Sequence, residues 1–390
     1  IGQEKRRKRL IHLPPPPQVY PNFSGAEKFG ALPRSAGLVP VPLEDDLSWD
    51  GSAIPDGDPM EWIVFAPRSA RVSPHARHFF LSSSTNRPDV SLFYADDVAA
   101  GEDMLNRLNL KPDFDRTLFV AQDYIGAPVS IRRKMLTDVG GLDQAKGTAV
   151  LYDLILRVAE AGGVISRITE VLIGYEGRRP IADRAERQAV LAKSKGFGDI
   201  ILSDGAAPGL LAQRRHFDGV GYPAVSIVIP TRRTLRPRSS ETYIEALLAN
   251  IEKTRWPMDH ITVIVGDDID GEPDWATKSW PFTLKRIETP RGPDEPFNYS
   301  SKMNRLWREA VDEQIIFLND DAVPTTPEWL SSLLSFAVDE SVGGVGARLY
   351  YDDGSIQHVG MFPSLRTIVH AWLGWPIEAK TYNAVSYTHL

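Results

Sequence analysis

Three consecutive oxygen-bearing residues, Asn319, Asp320 and Asp321, directly follow the apolar run at residues 315–318. Carboxylate and amide oxygens at the end of a buried strand suit Mg²⁺ or Mn²⁺, which take hard ligands and often share their site with phosphates. A cation there could bridge the oxygens of a diphosphate and neutralise charge on a departing nucleotide. The same residue types also suit a helix N-cap or an Asx turn, so the triplet alone leaves both interpretations open.

A second polar group, Asp267 and Asp268, follows the apolar run at residues 261–265. A carboxylate in this position could accept hydrogen bonds from a nucleotide base or a ribose, as acidic residues do in dinucleotide-binding folds. Turn formation before Gly271 accounts for either residue equally well. The pair is therefore a candidate ligand site whose meaning depends on what the fold places beside it.

A third group closes the β-branched run at residues 225–229, where Pro230 and Thr231 are followed by Arg232 and Arg233. Guanidinium groups in such a loop could bind phosphate oxygens. For any single loop arginine, an exposed and solubilising role is the simpler interpretation. The chain has no Walker A sequence, so a phosphate site of that type is excluded.

Alternating strands and helices are predicted around these three polar groups. In the second half of the chain we expect strands at 225–229, 261–265, 315–318 and 342–351 and helices at 241–253, 300–311 and 328–337. This alternation indicates an α/β fold with a parallel, doubly wound sheet. Ligands of such sheets bind beyond the carboxyl ends of the strands, where Thr231, Asp267 and Asp321 all fall. The three groups are therefore expected to form one site.

The first half of the chain is predicted to form a separate unit with shorter elements. The pattern favours strands at 62–65, 91–94, 116–120, 128–131 and 164–175 and helices at 147–162 and 181–195. Composition then divides the chain into four segments. These are an irregular basic and proline-rich segment at 1–58, a first unit at 59–203, a linker at 204–224 and a second unit at 225–390.

Composition excludes several classes of protein. The chain has 390 residues, a net charge of −7 and no cysteine. A net acidic chain is a poor nucleic-acid binder, and the lack of cysteine excludes disulfide scaffolds, cysteine-ligated zinc and thiol nucleophiles. No apolar run is long enough to predict a transmembrane helix. The basic run at residues 5–9 could attract an anionic membrane surface, although a solvated linker is the simpler interpretation.

Several segments of the second half together carry a family resemblance. They are residues 225–231 (Val-Ser-Ile-Val-Ile-Pro-Thr), 296–300 (Pro-Phe-Asn-Tyr-Ser), 317–321 (Phe-Leu-Asn-Asp-Asp), 327–330 (Pro-Glu-Trp-Leu), 346–360 and 382–386. The chain from about residue 225 to 386 resembles the family 2 glycosyltransferases of the GT-A fold. The closest likeness is to the rhamnosyltransferase-like group of bacterial cell-surface polysaccharide synthesis.

This resemblance implies a nucleotide-diphosphate sugar donor, UDP- or dTDP-linked, a Mg²⁺ or Mn²⁺ cofactor and a glycan or lipid-linked acceptor. It implies inverting transfer in the cytoplasm or at the inner face of the cell membrane. The implied metal ligands are Asp321 and Asn319. The implied nucleotide-sugar contacts are Pro230, Thr231, Arg233, Asp267, Asp268, Lys302, Asn304 and Asp320. The family's acid after the second strand would correspond to Asp267 or to Gly266.

The first unit resembles the acceptor-side half of the same family at residues 94–97, 111–114, 123–126, 139–142 and 152–159. The family's metal triplet would fall at residues 66–68 and its base at Leu151, and none of these positions carries a carboxylate. We therefore expect a degenerate first unit. We expect both units to be incomplete, with the base of the second beyond residue 390. The alternatives are a non-catalytic nucleotide-sugar or glycan-binding scaffold and a nucleotidyltransferase on a similar sheet.

Overall fold

The chain forms two compact units, Ile1–Lys195 and Gly196–Leu390. The computed structural model describes residues 26–35, 37–99, 108–195, 200–205, 209–218, 221–290, 296–363, 368–370 and 372–376. The basic run at 5–9, residues 382–386 and the final four residues lie outside this described part. The unit boundary falls close to the expected end of the first unit at residue 203.

The first unit is built on a mixed sheet. Its strands are β1 (Leu38–Leu43), β2 (Trp62–Pro67), β3 (Arg71–Val72), β4 (Leu92–Ala99), β5 (Leu108–Asn109), β6 (Val129–Arg132) and β7 (Ile165–Tyr175). Its α-helices are α1 (Ala76–Asn86), α2 (Arg116–Ala121), α3 (Arg133–Asp138), α4 (Val150–Glu160) and α5 (Arg184–Leu191). The order β1-β2-β6-β4-β7-β3 combines the parallel pairs β1–β2 and β4–β7 with antiparallel neighbours.

Strand β1 lies inside the segment 1–58 that we expected to be irregular, so that expectation is wrong here. Pro40 and Pro42 weaken the strand signal of this segment, because proline removes a backbone donor. The strand sits at the edge of the sheet, and the carbonyls of Gly37 and Leu43 accept hydrogen bonds from Trp62 of β2 and from Arg68, which directly follows β2. Since alternate residues face opposite edges, both prolines face away from β2, and no ladder hydrogen bond is lost.

Residues 116–120, expected to form a strand, belong to helix α2. Asp115 caps this helix by accepting a hydrogen bond from the Leu118 backbone N–H at 2.8 Å. Leu118, Phe119 and Val120 are all buried. A short, wholly buried apolar run has no periodicity that separates helix from strand, so the N-cap decides the structure.

The second unit has a parallel four-stranded sheet in the order β12-β11-β10-β13. The elements are β10 (Val225–Thr231), α6 (Tyr243–Ile251), β11 (Ile261–Asp267), α7 (Asp274–Thr277), β12 (Thr283–Glu288), α8 (Tyr299–Leu306), β13 (Gln314–Phe317) and α9 (Trp329–Ala337). Numbered along the chain, these strands run 3-2-1-4, which matches the first four positions of the 3-2-1-4-5-6 order of a Rossmann fold. The expected α/β class with a mostly parallel, Rossmann-like sheet is therefore confirmed.

Strand β10 is buried on both faces, which explains its continuous apolar run. Ile227 and Ile229 pack with helices α6 and α9 on one face. Val228 packs on the other face with Ile264 of β11 and Leu306 of α8. Residues from both faces of β10 are inaccessible to solvent, so this strand holds the two layers of helices to the sheet.

Residues 204–224, expected to be a linker, contain regular structure instead. The strands β8 (Ile200–Asp204) and β9 (Leu211–Arg215) pair as an antiparallel hairpin. The Arg215 N–H donates to the Ser335 hydroxyl of α9 at 2.8 Å, which ties the hairpin to the second unit. Small residues in the turn suggested a linker, but the flanking apolar residues form a hairpin.

Short paired strands complete the second unit. They are β14 (Leu349–Tyr350), β15 (Ile356–His358), β16 (Met361–Pro363) and β17 (Ile368–His370). The strand expected at 342–351 is thus only two residues long. Within the described residues, no helix is both long and apolar enough to cross a membrane.

We predict that Gly266→Ala destabilises the second unit. A Cβ atom at Gly266 would lie 2.4 Å from the Leu306 Cδ1 atom, and Leu306 is fully buried between α8 and the sheet. Overpacking of this kind costs about 1–3 kcal/mol. The matched control is Gly343→Ala, because no atom lies within 4 Å of a Cβ there. Urea unfolding followed by tryptophan fluorescence should give a lower midpoint for Gly266→Ala only, and equal midpoints would contradict this packing.

Candidate functional site

The candidate site lies at the carboxyl edge of the β12-β11-β10-β13 sheet. Thr231 of β10 is in register with Asp267 of β11, which is in register with Glu288 of β12. Residues 319–321 follow β13, the neighbour of β10 on the other side. The parallel pairing thus brings together the three polar groups that the sequence placed at strand ends, as expected.

Thr231 connects the first strand to the acidic triplet. Its hydroxyl donates to the Asp320 carboxylate at 2.6 Å and accepts from the Arg233 backbone N–H at 3.0 Å. Burial raises the pKa of Asp320, and the charge of the neighbouring Asp321 raises it further. The Thr231 hydrogen bond and the positive charge of Lys302 lower it, but the net shift of the pKa is upward. Ionised Asp320 is therefore electrostatically unfavourable in this environment.

Asp267 lies beneath this edge, with a side chain that is almost inaccessible to solvent. Arg233 contacts its carboxylate at 2.6 Å and Arg286 contacts it at 2.8 Å. Burial raises the pKa of Asp267, but hydrogen bonds from both arginines and from the Ile269 N–H outweigh burial and hold the pKa below its ordinary value. A ligand could reach this carboxylate only by displacing an arginine.

The same two arginines also hold the loop that follows β11. Each donates to the carbonyl oxygens of Ile269 and Gly271, at distances of 2.5–3.2 Å. Arg233 adopts a left-handed backbone conformation with a φ of 54°. Such a conformation is strained for a residue with a side chain. The double contact to Asp267 and to the loop offsets this strain.

Asp268 forms a second ion pair at this edge. Lys302 of α8 donates to the Asp268 carboxylate at 2.6 Å and to the Thr231 carbonyl at 3.1 Å. The Thr289 hydroxyl also donates to Asp268, at 2.9 Å. Lys302 therefore joins the ends of β10 and β11.

Not all expected residues join this cluster. Asn304 is exposed on α8, where its side-chain oxygen accepts a hydrogen bond from the Trp307 indole, so its expected contact with a nucleotide sugar finds no support in the geometry. Pro230 lies within β10 and is only half-buried. Gly266 cannot stand in for the family's acid, because a side chain there would point at Leu306. Asp267 is thus the acidic residue at the end of β11.

Asn319 and Asp321 are exposed next to Asp320. The described residues contain no group of three or more histidine, aspartate or glutamate side chains that could hold a metal. A magnesium-type cation needs only one or two carboxylates when phosphates complete its shell. The residues present fit that requirement, since Asp321 is accessible and, within the described part of the chain, neither it nor Asp320 has an ion-pair partner within 4 Å.

Sequence reasoning missed Arg286 and Thr289. Arg286 lies in β12, and its side chain reaches Asp267 on the neighbouring strand β11. Thr289 directly follows β12. A basic residue near a strand end is a weak signal by itself. Only the register that places β12 beside β11 reveals the partner.

Paired acids also lie at the end of β4 in the first unit, where their charges are neutralised internally. Asp97 contacts Lys111 at 3.0 Å and Arg179 at 2.5 Å, and Asp96 contacts Arg167 at 2.5 Å. Asp96, Asp97 and Lys111 are fully buried. The arrangement is thus opposite to that of Asp320 and Asp321.

We expect Asp267 and Asp320 to affect stability in opposite directions at pH 7. Asp267 has a lowered pKa, so its charge stabilises the fold, and Asp267→Asn should lower the melting temperature. Asp320 has a raised pKa, so its charge opposes folding, and Asp320→Asn should raise the melting temperature.

The pH dependence of these two effects also differs. The Asp320→Asn difference should disappear as the pH falls to the ordinary carboxyl pKa of about 3.9, whereas the Asp267→Asn difference should persist until the pH is lower still. Melting curves by circular dichroism at pH 7, 5 and 4 measure both effects. Shifts of the same sign at pH 7 would contradict the assigned electrostatics.

Two curated proteins are similar to most of this chain. The O-antigen biosynthesis protein RfbC of Myxococcus xanthus is 30% identical over 314 residues, which cover 77% of this chain and 24% of RfbC. The uncharacterized protein y4gI of Sinorhizobium fredii is 29% identical over 345 residues, which cover 82% of this chain and 36% of y4gI. The chain thus spans only about a quarter to a third of these relatives. No protein-family model matches it.

Two solved structures align with shorter parts of the chain. A mannosyltransferase from Pyrobaculum calidifontis, in complex with GDP-Man and Mn²⁺, is 23% identical over 32% of this chain and 35% of its own, with a TM-score of 0.27. Staphylococcus aureus TarS is 21% identical over 25% of this chain and 16% of its own, with a TM-score of 0.20.

Proposed function

We propose that this chain is part of a glycosyltransferase of polysaccharide synthesis, and that its second unit binds a nucleotide-diphosphate sugar with a divalent cation. One observation carries the proposal: Thr231, Asp267, Asp268 and the triplet at 319–321 converge at the carboxyl edge of a parallel sheet. This edge is where α/β folds bind nucleotides. Similarity to a protein named for O-antigen biosynthesis, over 77% of the chain, supports the polysaccharide class.

In this proposal Asp321 is the principal ligand of Mg²⁺ or Mn²⁺, with Asn319 beside it. Both side chains are exposed, and Asp320 is fixed behind them by Thr231. Burial raises the pKa of Asp320 and the charge of Asp321 raises it further, and a cation beside the two carboxylates would favour their ionised forms. When bound, the cation would neutralise charge on the diphosphate leaving group.

Arg233 and Asp267 act differently in this proposal from what the resemblance alone implied. Because Asp267 is buried and held by two arginines, it positions the loop after β11 instead of contacting the nucleotide. The exposed loop residues 269–271 would then lie against the base and ribose. Thr231 and Asp268 line the same edge, with Lys302 joining them.

The first unit is proposed to be a non-catalytic half of a second GT-A domain, at about residues 59–203. Leu151, at the position of the family's base, is buried and carries no proton-accepting group. The acids at the end of β4 are neutralised by Lys111, Arg167 and Arg179. A divalent cation would have to displace these internal cations, so we assign metal binding to the second unit alone.

Calorimetry with UDP- and dTDP-sugars, with and without Mn²⁺, tests the proposed site. We expect binding that is stronger with Mn²⁺, and we expect Asp321→Ala to abolish the metal-dependent part because it removes the accessible carboxylate. The matched control is Asp259→Ala, since Asp259 is exposed in the turn before β11, at the opposite edge of the sheet.

The control variant should bind like the parent chain. Asn304→Ala should do so as well, because Asn304 is exposed and its side-chain oxygen accepts a hydrogen bond from the Trp307 indole. Binding that is absent in the parent, or that survives Asp321→Ala unchanged, would contradict the proposal. Binding without sugar transfer would favour the alternative of a nucleotide-sugar-binding scaffold.

A further inference from the structure

Two histidines in the second unit, His358 and His370, face each other with their ring nitrogens. Their Nδ1 atoms are 2.9 Å apart, and the ring planes meet at 77°. His358 ends β15 and His370 ends β17, so the rings come from two different strand pairs. The proposed function uses neither residue.

The backbone around His358 fixes the position of its ring. Ile356 and Val359, on either side of it in sequence, are buried in a small apolar cluster with Tyr350. Gly360 follows with a φ of 119°, a conformation that side chains rarely adopt. This glycine redirects the chain from β15 into β16.

The backbone around His370 is fixed from both directions. His370 pairs with Met361 across the β16–β17 ladder, and Met361 lies just three residues after His358. Beyond His370, Trp372 packs against the buried Ile356 and Val359. The turn at residues 372–375 is bound to Ile356 by two backbone hydrogen bonds of 2.8 Å. The backbone segments that carry the two rings are therefore held next to each other.

We infer that His358 and His370 form a binding site for a transition-metal ion that prefers nitrogen ligands, Zn²⁺ being the representative case. When both rings carry their proton on Nε2, both Nδ1 atoms have a lone pair that can bind a metal ion. Zinc–imidazole bonds are about 2.0–2.1 Å long, which separates two nitrogen ligands by about 2.9 Å at a right angle and by about 3.3 Å at the tetrahedral angle. The observed separation matches the first value and lies a few tenths of an ångström from the second.

This site differs in chemistry from the oxygen site at Asp321. Mg²⁺ and Mn²⁺ prefer carboxylates, whereas imidazole suits Zn²⁺, Cu²⁺ and Ni²⁺. Among the described residues no third histidine or acidic side chain joins the pair. The site is thus bidentate, and His370 is exposed, so water or a ligand atom would complete the shell.

Titration of the full chain with ZnCl₂ by calorimetry tests this inference, in an Asp321→Ala background that removes the oxygen site. We expect one zinc site, weakened at least tenfold by His358→Gln and by His370→Gln separately, because each removes one of two ligands. The exposed ring of His370 makes His370→Gln the variant less prone to disturb folding. His358→Cys should retain zinc, since a thiolate is also a zinc ligand.

The matched control is His216→Gln, because His216 is exposed and lies in a different part of the second unit. This variant should bind zinc like its parent, and MgCl₂ should give no signal that depends on His358 or His370. The absence of zinc binding, or binding unchanged in both His358→Gln and His370→Gln, would overturn the inference. Either outcome leaves the nucleotide-sugar proposal untouched, because that proposal depends on Asp321.

Discussion

A buried carboxylate at the end of a central strand is the constraint on which the candidate site depends. Asp267 is 1% exposed, and an unpaired charge at this depth would strongly oppose folding. Arg233 and Arg286 neutralise it from two directions. The strained backbone of Arg233 and the course of the loop at 269–271 both follow from this pairing, since the same guanidinium groups hold the loop carbonyls.

Among the residues that the structure describes, no ion pair compensates the acidic triplet after β13 in the way that the arginines compensate Asp267. The Thr231 hydroxyl fixes Asp320, but a neutral donor only partly offsets its burial and the charge of Asp321. At the end of β11, the charge of Asp267 is thus neutralised and the following loop is held in place. After β13, the acidic residues are left negative and accessible. Functional sites can carry destabilising charge of this kind when a bound ligand neutralises it. The first unit, whose acids are internally paired, shows the arrangement that stability alone favours.

Sequence reasoning succeeded where one strong pattern acts alone. The apolar runs before Thr231, Asp267 and Asn319 specify buried parallel strands, and the polar residues after them meet at the expected edge. It failed where tertiary contacts decide the structure. An edge position permits the prolines of β1, and an N-cap from Asp115 turns a strand-like run into helix α2. Arg286 could not be found because its role depends on which strand lies beside β11.

The central claim is that the edge formed by Thr231, Asp268 and Asp321 holds a divalent cation and a nucleotide diphosphate. Crystals soaked with MnCl₂ and a UDP- or dTDP-sugar, measured at a wavelength where manganese scatters anomalously, test it most directly. The account predicts an anomalous peak within about 2.2 Å of an Asp321 carboxylate oxygen, a distance typical of hard cations, with the diphosphate beside it. Manganese or nucleotide bound elsewhere, with this edge left empty, would contradict the account.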